Sequence, residues 1–346
     1  MAKLTGVFLI ETGVVNRGGG IGHLATVKKV TTPEGMKVYF SPVSYKRALW
    51  RALQQNKGWS EPFVTNEGGI IQRTGTIIDS EEFDFGGTMI AAKKSKKSKS
   101  IEYKREAPFL VDNGISINNY CGDMELMTNM ALSKFYGEDS SELVNRENFY
   151  GIYIMPFGIE IERVGIQEIE GLDVKIKEDD SLEEKIRKIY EVIPKPINKK
   201  RRLELTKEQL SQWAEIVDTI EYCEKTKTTK IVLKKEERER RLRDLLLGMG
   251  ELVRRIEGSD RNLSPFFAAF SLDYIAPKYL YLIKAFVRKK INQNGYLSED
   301  DFVSLSQELR DFAQREGKDI KTATYLDYAQ AVDELIKQIF GETKGD

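Results

Sequence analysis

The first apolar segment of the chain, residues 4–15 (LTGVFLIETGVV), contains few polar side chains. A short run of this kind is typical of a strand that is buried on both faces of a sheet. Residues 16–22 (NRGGGIG) contain four glycines and predict a loop. Residues 24–31 and 36–40 are rich in β-branched and aromatic side chains and predict two strands. The Thr-Pro-Glu-Gly sequence between them predicts the turn of a hairpin.

The clearest helix in the sequence begins directly after this hairpin. Ser41 suits an N-cap, and Pro42 suits the first helical position. From Tyr45 to Leu53 the apolar side chains recur at i, i+3, i+4, i+7 and i+8, which predicts one buried face. The basic residues outside that face are Lys46, Arg47 and Arg51. We therefore expect a helix that buries one side and exposes a basic side.

The rest of the pattern mixes strands and helices in irregular order. Strands are expected at 107–118 and 150–164, with a helix at 124–135 between them. A highly charged helix is expected at 234–256, and residues 277–340 are expected to be helical. This order indicates an α+β fold with long insertions, because an alternating β/α fold would show a regular repeat of strand and helix.

Composition places the chain among folded, soluble proteins. Of its 346 residues, 40% are hydrophobic and 31% are charged. No apolar run approaches the roughly 18 residues that a membrane helix needs, and the first residues lack the layout of a signal peptide. The two cysteines, Cys121 and Cys223, form no CxxC pair. We expect a cytoplasmic protein with no membrane partner and no structural disulfide.

The chain contains a single histidine, His23. Zinc sites built from His and Cys therefore have too few ligands available, and a Ser-His-Asp or Cys-His catalytic group would depend on His23 alone. Carboxylate chemistry remains open, since Glu160 and Glu162 would lie on one face of a strand. Such pairs are more often solvated or ion-paired surface groups. We expect no metal, no cofactor and no catalytic residue.

Charge is balanced over the chain, with 54 basic and 54 acidic residues, but it is unevenly distributed. Residues 1–60 contain nine basic and two acidic side chains, whereas residues 296–346 contain twelve acidic and six basic ones. Residues 93–99 (KKSKKSK) form a lysine tract that we expect to be mobile and to contact nucleic acid. This asymmetry suits an RNA-binding surface together with surfaces that contact other subunits. Solvated charged faces are the alternative.

The glycine-rich loop has two possible ligand-binding roles. Residues 20–25 match the GxGxxA pattern of dinucleotide sites, but the following residues predict a strand where such a site requires a helix. No GKS or GKT sequence is present, which excludes a P-loop. Glycines beside Arg and Lys instead suit a surface on which a sugar-phosphate backbone lies without its sequence being read. A purely structural loop is the alternative.

Residues 4–53 resemble the N-terminus of the Cas-seven (DevR) family, the backbone subunits of type I CRISPR effector complexes. The matching residues, in the order typical of the family, are Asn16-Arg17, Lys28, Ser41, Ser44 and Lys46-Arg47-Ala48. Two departures affect possible contacts: Pro42 and Val43 replace the usual Ser-Gln, and Trp50 stands where Arg is common. The resemblance is uneven from there to residue 164 and is lost between 165 and 260.

This resemblance implies an RRM-like (ferredoxin-like) palm within an α+β chain. The palm would comprise residues 1–60, 107–164 and 236–346, the last of these including a helical C-terminal part. A finger-like insertion would span 61–106, and a thumb or helical insertion would span 165–235. The implied function is that of a crRNA-binding backbone subunit of an I-B-like Cascade complex in antiviral defence. The implied partners are crRNA, target DNA reached through the guide, further copies of the chain and other Cascade subunits.

The resemblance and the basic pattern together give a set of candidate RNA-binding residues. The set is Asn16, Arg17, Gly19, Gly20, His23, Lys28, Lys29, Ser41, Ser44, Lys46, Arg47, Arg51, Lys93, Lys94, Lys96 and Lys97. One alternative is a type III-like backbone subunit, which cleaves target RNA with an aspartate in the loop after the first strand. Residues 16–40 contain no Asp, and their only acid, Glu34, lies in the predicted turn. The other alternative is a generic RRM-type RNA-binding protein, but the RNP1 pattern is missing from the sequence.

Overall fold

The structure is a computed structural model that mixes helices with several sheets. The residues it describes are 3–21, 24–67, 69–92, 101–128, 130–137, 143–170, 174, 176–197, 203–273 and 275–341. The helices are α1 (Pro42–Asn56), α2 (Glu81–Gly86), α3 (Met130–Phe135), α4 (Leu182–Val192), α5 (Lys207–Ile216), α6 (Lys235–Gly250), α7 (Ile275–Lys278), α8 (Leu280–Asn294), α9 (Glu299–Arg315) and α10 (Tyr328–Phe340). No helix among the described residues is both long enough and apolar enough to cross a membrane.

The strands fall into one large sheet and several small ones. Those in the first half of the chain are β1 (Lys3–Gly13), β2 (Arg17–Ile21), β3 (Leu24–Val27), β4 (Lys29–Thr32), β5 (Gly35–Phe40), β6 (Phe63–Glu67), β7 (Ile70–Thr74), β8 (Thr88–Ala92), β9 (Ile101–Arg105), β10 (Phe109–Val111), β11 (Gly114–Asn119), β12 (Met124–Thr128), β13 (Leu143–Glu147) and β14 (Tyr150–Glu160). Those that follow are β15 (Ile166–Glu170), β16 (Val217–Cys223), β17 (Thr228–Leu233), β18 (Val253–Ile256), β19 (Ser259–Asn262), β20 (Phe267–Ser271) and β21 (Lys321–Thr324).

Eight of the described strands form the central sheet, in the order β21-β20-β1-β14-β11-β5-β4 with β10 beside β14. Its strand pairs are antiparallel. β1 pairs with β14 over its whole length, from Lys3 opposite Glu160 to Gly13 opposite Tyr150. The strand is buried from Leu4 to Ile10, because it lies between β14 and β20 and is covered on both faces. The predicted first strand is thereby confirmed.

Successive side chains of β1 enter different cores, as strand geometry requires. Leu4 and Phe8 belong to a core that also contains side chains of α1, α6 and α10. Val7 and Leu9 point to the opposite face, into a second core with side chains of α8 and α9. Helices therefore cover both faces of the central sheet.

A third core lies away from this sheet and combines the two predicted insertions. It contains Phe63 and Phe83 from the first insertion, and Ile186 and Trp213 from the second. Hydrogen bonds add to this contact: the hydroxyl groups of Thr76 and Tyr190 lie 2.8 Å apart, and the Ile77 N–H donates to Gln167 at 2.9 Å. The described parts of residues 61–106 and 165–235 thus share one hydrophobic interior.

A buried ionic group lies between this third core and α6. The Asp84 carboxylate, which is fully buried, accepts hydrogen bonds from Arg105 and Arg241. It also accepts from the Gly165 N–H at 3.0 Å. Two buried guanidinium groups therefore share this carboxylate, and Arg241 also pairs with Glu237 at 2.6 Å.

Local signals in the first 56 residues gave correct elements, with one exception. Helix α1 begins at Pro42 with Ser41 as its N-cap, as predicted. The prediction of a loop at 16–22 is wrong for residues 17–21, which form β2. This segment pairs with β3, and the Thr26 hydroxyl donates to the Gly19 carbonyl at 2.5 Å. Long-range pairing here overrides the low strand propensity of glycine.

Three predictions later in the chain are also corrected. Residues 124–135 form β12 and then α3, because 124–128 pair with β13. Residues 234–256 divide into α6 and β18, because 253–256 pair with β19. The region 277–340 is interrupted by β21, which pairs with β20 at the edge of the central sheet. In each case the partner strand, which local sequence does not reveal, decides the conformation.

Candidate nucleic-acid interface

The start of α1 is fixed by short polar side chains. The Ser44 N–H donates to the Ser41 hydroxyl at 3.4 Å, which caps the helix. The Ser41 N–H in turn donates to the Asn16 amide oxygen at 3.3 Å. Arg254, from the distant strand β18, donates to the Ser44 hydroxyl. The structure therefore brings Asn16, Ser41 and Ser44 together at a helix N-terminus, a position that favours anions.

The glycine strand β2, which follows the Asn16 that binds the helix cap, has open space at two of its glycines. A Cβ atom added at Gly19 would meet nothing within 4 Å, and one at Gly20 would meet only the Leu24 carbonyl at 3.6 Å. Packing within the subunit does not require glycine at these positions. A side chain would, however, obstruct the close approach of a ligand to the backbone.

Arg17, at the beginning of β2, takes part in an ion-pair network. Its guanidinium group donates two hydrogen bonds to Glu257, at 2.9 and 2.8 Å, and a third to the Glu147 carbonyl. Arg146 also donates to Glu257, at 3.0 Å, and pairs with Glu125 at 2.9 Å. Arg17 and Arg146 thus share one carboxylate.

The two lysines of the hairpin segment differ in their surroundings. Lys29 forms an ion pair with Glu147 at 2.6 Å, and its ammonium group lies 4.7 Å from the Tyr120 ring centroid. Burial alone would raise the pKa of Glu147, but hydrogen bonds from Lys29 and the Val27 N–H hold it below its usual value. The Lys28 ammonium group lies 6.0 Å from the ring of Tyr39. Lys28 is therefore the less engaged of the two among the described contacts.

The basic side of α1 is smaller than its sequence suggests. Arg47 and Arg51 are exposed, as predicted. The Lys46 ammonium group is instead turned towards β10, where it donates to the Phe109 carbonyl and lies 5.2 Å from the ring of that residue. Burial, with a smaller contribution from the charge of Arg73, lowers the pKa of Lys46 to about 8.

A basic cleft of about 440 Å³ lies between α1 and the β18–β19 hairpin. It is lined by Arg47 and Arg51 on the helix and by Arg254 and Arg255 on the hairpin, with Glu251 at the base of the hairpin. Burial, and next the nearby charge of Arg51, lower the pKa of Arg254. Four guanidinium groups around one open cleft suit a polyanionic ligand.

The hairpin arginines and Arg146 are absent from the set of RNA-binding residues predicted from the sequence. Arg254 and Arg255 lie some 200 residues from α1, inside a segment that was expected to be helical. Two adjacent arginines at 254–255 could have suggested a basic surface, but only the fold shows that they lie beside Arg51. His23 and the tract lysines Lys93, Lys94, Lys96 and Lys97 lie outside the described residues.

Carboxylate sites give no sign of metal chemistry. Among the residues that the structure describes, no cluster of His, Cys, Asp or Glu could hold a metal ion. Glu160, one member of the pair noted in the sequence, pairs with Arg163 at 2.8 Å. This ion pair agrees with the surface interpretation for Glu160. The prediction that both carboxylates lie on one face of a strand is wrong, because Glu162 lies in the 3-10 helix Ile161–Arg163 after β14.

Comparisons with known proteins identify the family of this chain and structures with a similar fold. A model of the family described as CRISPR-associated negative auto-regulator DevR/Csa2 matches residues 4–299. A solved chain from a CRISPR RNA-guided surveillance complex is similar with a TM-score of 0.50 and 10% identity, over 97% of this chain and 99% of that chain. A second, from a CRISPR RNA-guided surveillance complex, pre-nicking, has a TM-score of 0.53 and 9% identity, over 97% and 100%. No curated protein is significantly similar to this chain in sequence. The family match covers most of the sequence, and the chain therefore belongs to the CRISPR-associated DevR/Csa2 family.

Proposed function

We propose that this chain is the crRNA-binding backbone subunit of a Cascade-type effector complex, with several copies assembling along one guide and supporting recognition of target DNA. The observation that carries the proposal is the basic cleft between α1 and the β18–β19 hairpin, whose turn residue Glu257 is bound by Arg17 of the glycine strand. Family membership supports it, as does similarity to chains of CRISPR RNA-guided surveillance complexes. The I-B-like subtype stays a prediction.

The central sheet supports an RRM-like palm. Strands β1, β11, β14 and β20, with α1 after β1 and α6 before β20, follow the order β-α-β-β-α-β. Their arrangement in the sheet, β20-β1-β14-β11, is that of the ferredoxin-like fold. Residues 61–106 and 165–235 are then insertions into this palm, the finger and the thumb of the proposal.

The covered faces of the sheet favour a backbone subunit over a generic RRM protein. An RRM stacks RNA bases on the open face of its sheet. In this chain α8 and α9 pack on the face opposite α1 and α6, through Ile283 and Leu309 among others. RNA would therefore lie along α1 and the hairpin, where guanidinium groups bind phosphates without reading bases.

The carboxylates near this surface support a scaffold more than a nuclease. Metal-assisted cleavage needs carboxylates that converge on divalent ions beside the scissile phosphate. Glu257 is bound by two arginines, Glu147 by Lys29, and Glu34 by Lys284 at 2.8 Å. In the proposed role the chain positions RNA and leaves hydrolysis to other proteins.

The first test is to identify the nucleic acid that copurifies when the chain is expressed with its complex. We expect repeat-derived guides of uniform length, with several copies of the subunit per guide. RNA of random length, bound by single subunits, would instead support the generic RNA-binding alternative.

The second test concerns cleavage. The subunit assembled on a guide is incubated with matched single-stranded RNA, with and without Mg²⁺ or Mn²⁺, and we expect the RNA to remain intact. Cuts at a regular spacing that disappear in a His23→Ala variant would overturn the scaffold proposal and make the chain an enzyme.

A further inference from the structure

We infer that Arg17 and Arg146 form a binding site for one phosphate group of a nucleic-acid backbone, and that the Glu257 carboxylate occupies this site in the free subunit. The inference rests on the RNA-binding function proposed above. It adds Arg146 to the phosphate ligands and gives Glu257 the role of a competitor.

The contacts of Glu257 are those that a phosphate group could make. Arg17 donates from Nε to one carboxylate oxygen and from Nη2 to the other, and Arg146 Nη1 donates to the second oxygen. This two-bond arrangement of one guanidinium group on two oxygens is common to arginine–carboxylate and arginine–phosphate pairs. A phosphate could therefore replace the carboxylate without moving either arginine.

Both arginines have further contacts that do not involve Glu257. Arg17 also donates to the Glu147 carbonyl. Arg146 donates from Nε and Nη2 to Glu125, at 2.9 Å in each case. These contacts come from β12 and β13 and not from the hairpin, so they remain when the Glu257 side chain leaves. The site is therefore organised before a ligand arrives, which reduces the cost of binding.

Glu257, in contrast, lies where a side chain can leave without disturbing the fold. It is the first residue of the two-residue turn between β18 and β19, with φ of 49°, and Gly258 follows with φ of 78°. The last strand pair of the hairpin, Ile256 opposite Ser259, does not depend on the glutamate side chain. The side chain is 35% exposed, so rotation into water is open to it.

The negative charge of Glu257 explains why its carboxylate should compete with a phosphate group for the two arginines. The Arg17 hydrogen bond, acting against burial, holds the pKa of Glu257 below its usual value, so the carboxylate is ionised at neutral pH. An incoming phosphate must then exchange with a bound anion instead of binding to free guanidinium groups. Glu257 should therefore weaken RNA binding, and removing its charge should strengthen it.

Removing the Glu257 charge would have the opposite effect on RNA binding if the ion pairs of Glu257 hold the hairpin in position beside the cleft. In that case its removal would loosen Arg254 and Arg255 and weaken RNA binding. The two interpretations thus predict changes of opposite sign in the same measurement.

The variants Glu257→Asn and Glu257→Asp form a matched pair for this test. Asn and Asp are similar in shape, and both tolerate positive φ and suit the first position of a two-residue hairpin turn before glycine. They differ in charge. Glu334→Gln serves as a control, since it removes one negative charge from an ion pair between α10 and Lys321, and neither of these residues lines the basic cleft.

The measurement is binding of a fluorescent single-stranded RNA of unrelated sequence over a series of salt concentrations. At low salt we expect Glu257→Asn to bind about three- to tenfold more tightly than Glu257→Asp, and Glu334→Gln to change affinity by less than about twofold. Arg146→Gln should weaken binding, and in combination with Glu257→Asn it should abolish most of the gain. Thermal unfolding of each variant establishes that it is folded.

Failure of the inference and failure of the proposed function give different results. If the wild-type chain binds RNA and Arg17→Ala weakens binding, but Glu257→Asn binds no more tightly than Glu257→Asp, competition by Glu257 for the phosphate site is refuted and the RNA-binding function stands. If the wild-type chain shows no salt-dependent RNA binding at all, both are refuted.

Discussion

Adjacent basic side chains on α1 have different environments despite their similar appearance in the sequence. Lys46 donates to the Phe109 carbonyl from a half-buried position, whereas Arg47 is exposed at the basic cleft. Lys46 would have to give up an internal hydrogen bond before it could reach a phosphate. Of these two side chains, only Arg47 can bind a phosphate group without first losing an internal hydrogen bond.

Arg47→Ala should therefore reduce RNA affinity more than Lys46→Ala does. Each lost phosphate contact should lower the slope of log affinity against log salt by about 0.7 for single-stranded RNA. We expect that decrease for Arg47→Ala and a smaller one for Lys46→Ala, measured with unrelated RNA sequences. Equal losses in the two variants at every salt concentration would refute the ranking.

Lys46 also gives a prediction for stability as a function of pH. Its pKa is lowered to about 8 in the folded chain, from an ordinary value of 10.5. Between these two values the unfolded state binds more protons, so the free energy of unfolding should rise as pH increases through this window. Lys46→Met should remove this part of the rise. Denaturant unfolding of both proteins at pH 7 and pH 10 measures it, and equal pH dependence would contradict it.

Among the helices and strands, those that are determined by neighbouring residues could be predicted from the sequence. Helix α1 could be located because its cap, its proline and its apolar stripe all lie within a few residues. Strand β18 could not, since residues 253–256 follow a charged helix without a turn sequence and are defined by pairing with β19. Helix α6 ends at Gly250, where a Cβ atom would lie 2.3 Å from the Tyr328 ring, so packing against a distant residue and not a local turn sequence requires glycine there. The half of the cleft contributed by the hairpin was missed for the same reason.

The buried ionic group around Asp84 provides a test of how elements are joined. Asp84→Ala should lower the free energy of unfolding by about 3–5 kcal/mol, because it removes the buried carboxylate that Arg105 and Arg241 share, although Arg241 keeps its ion pair with Glu237. Glu106→Ala is the control, since Glu106 pairs with Lys104 and both side chains are 61% exposed. Its effect should be close to experimental error. Similar losses for both variants would mean that the Asp84 contacts contribute no more than a surface ion pair.

For the whole molecule, a net charge of zero means that local charge must attract nucleic acid. The lysine tract at 93–99 has five positive charges and no negative one, and all of it lies outside the described residues. Replacing its five lysines by serine should slow target capture by the assembled complex at low salt, because exposed charges act mainly by steering. The difference should vanish at high salt, where charges are screened. Equal capture rates at low salt would reduce the tract to a solubilising segment.

The shared third core restricts how this chain can change. A loop that projects alone can be lengthened, shortened or replaced, but residues 61–106 and 165–235 bury their apolar side chains against each other. Phe63 and Phe83 would become exposed if the second segment were removed, and Trp213 if the first were. Deletion of either one should therefore produce an aggregating protein. A chimera that exchanges both segments together with a relative should stay soluble, so the two are expected to be inherited as one unit.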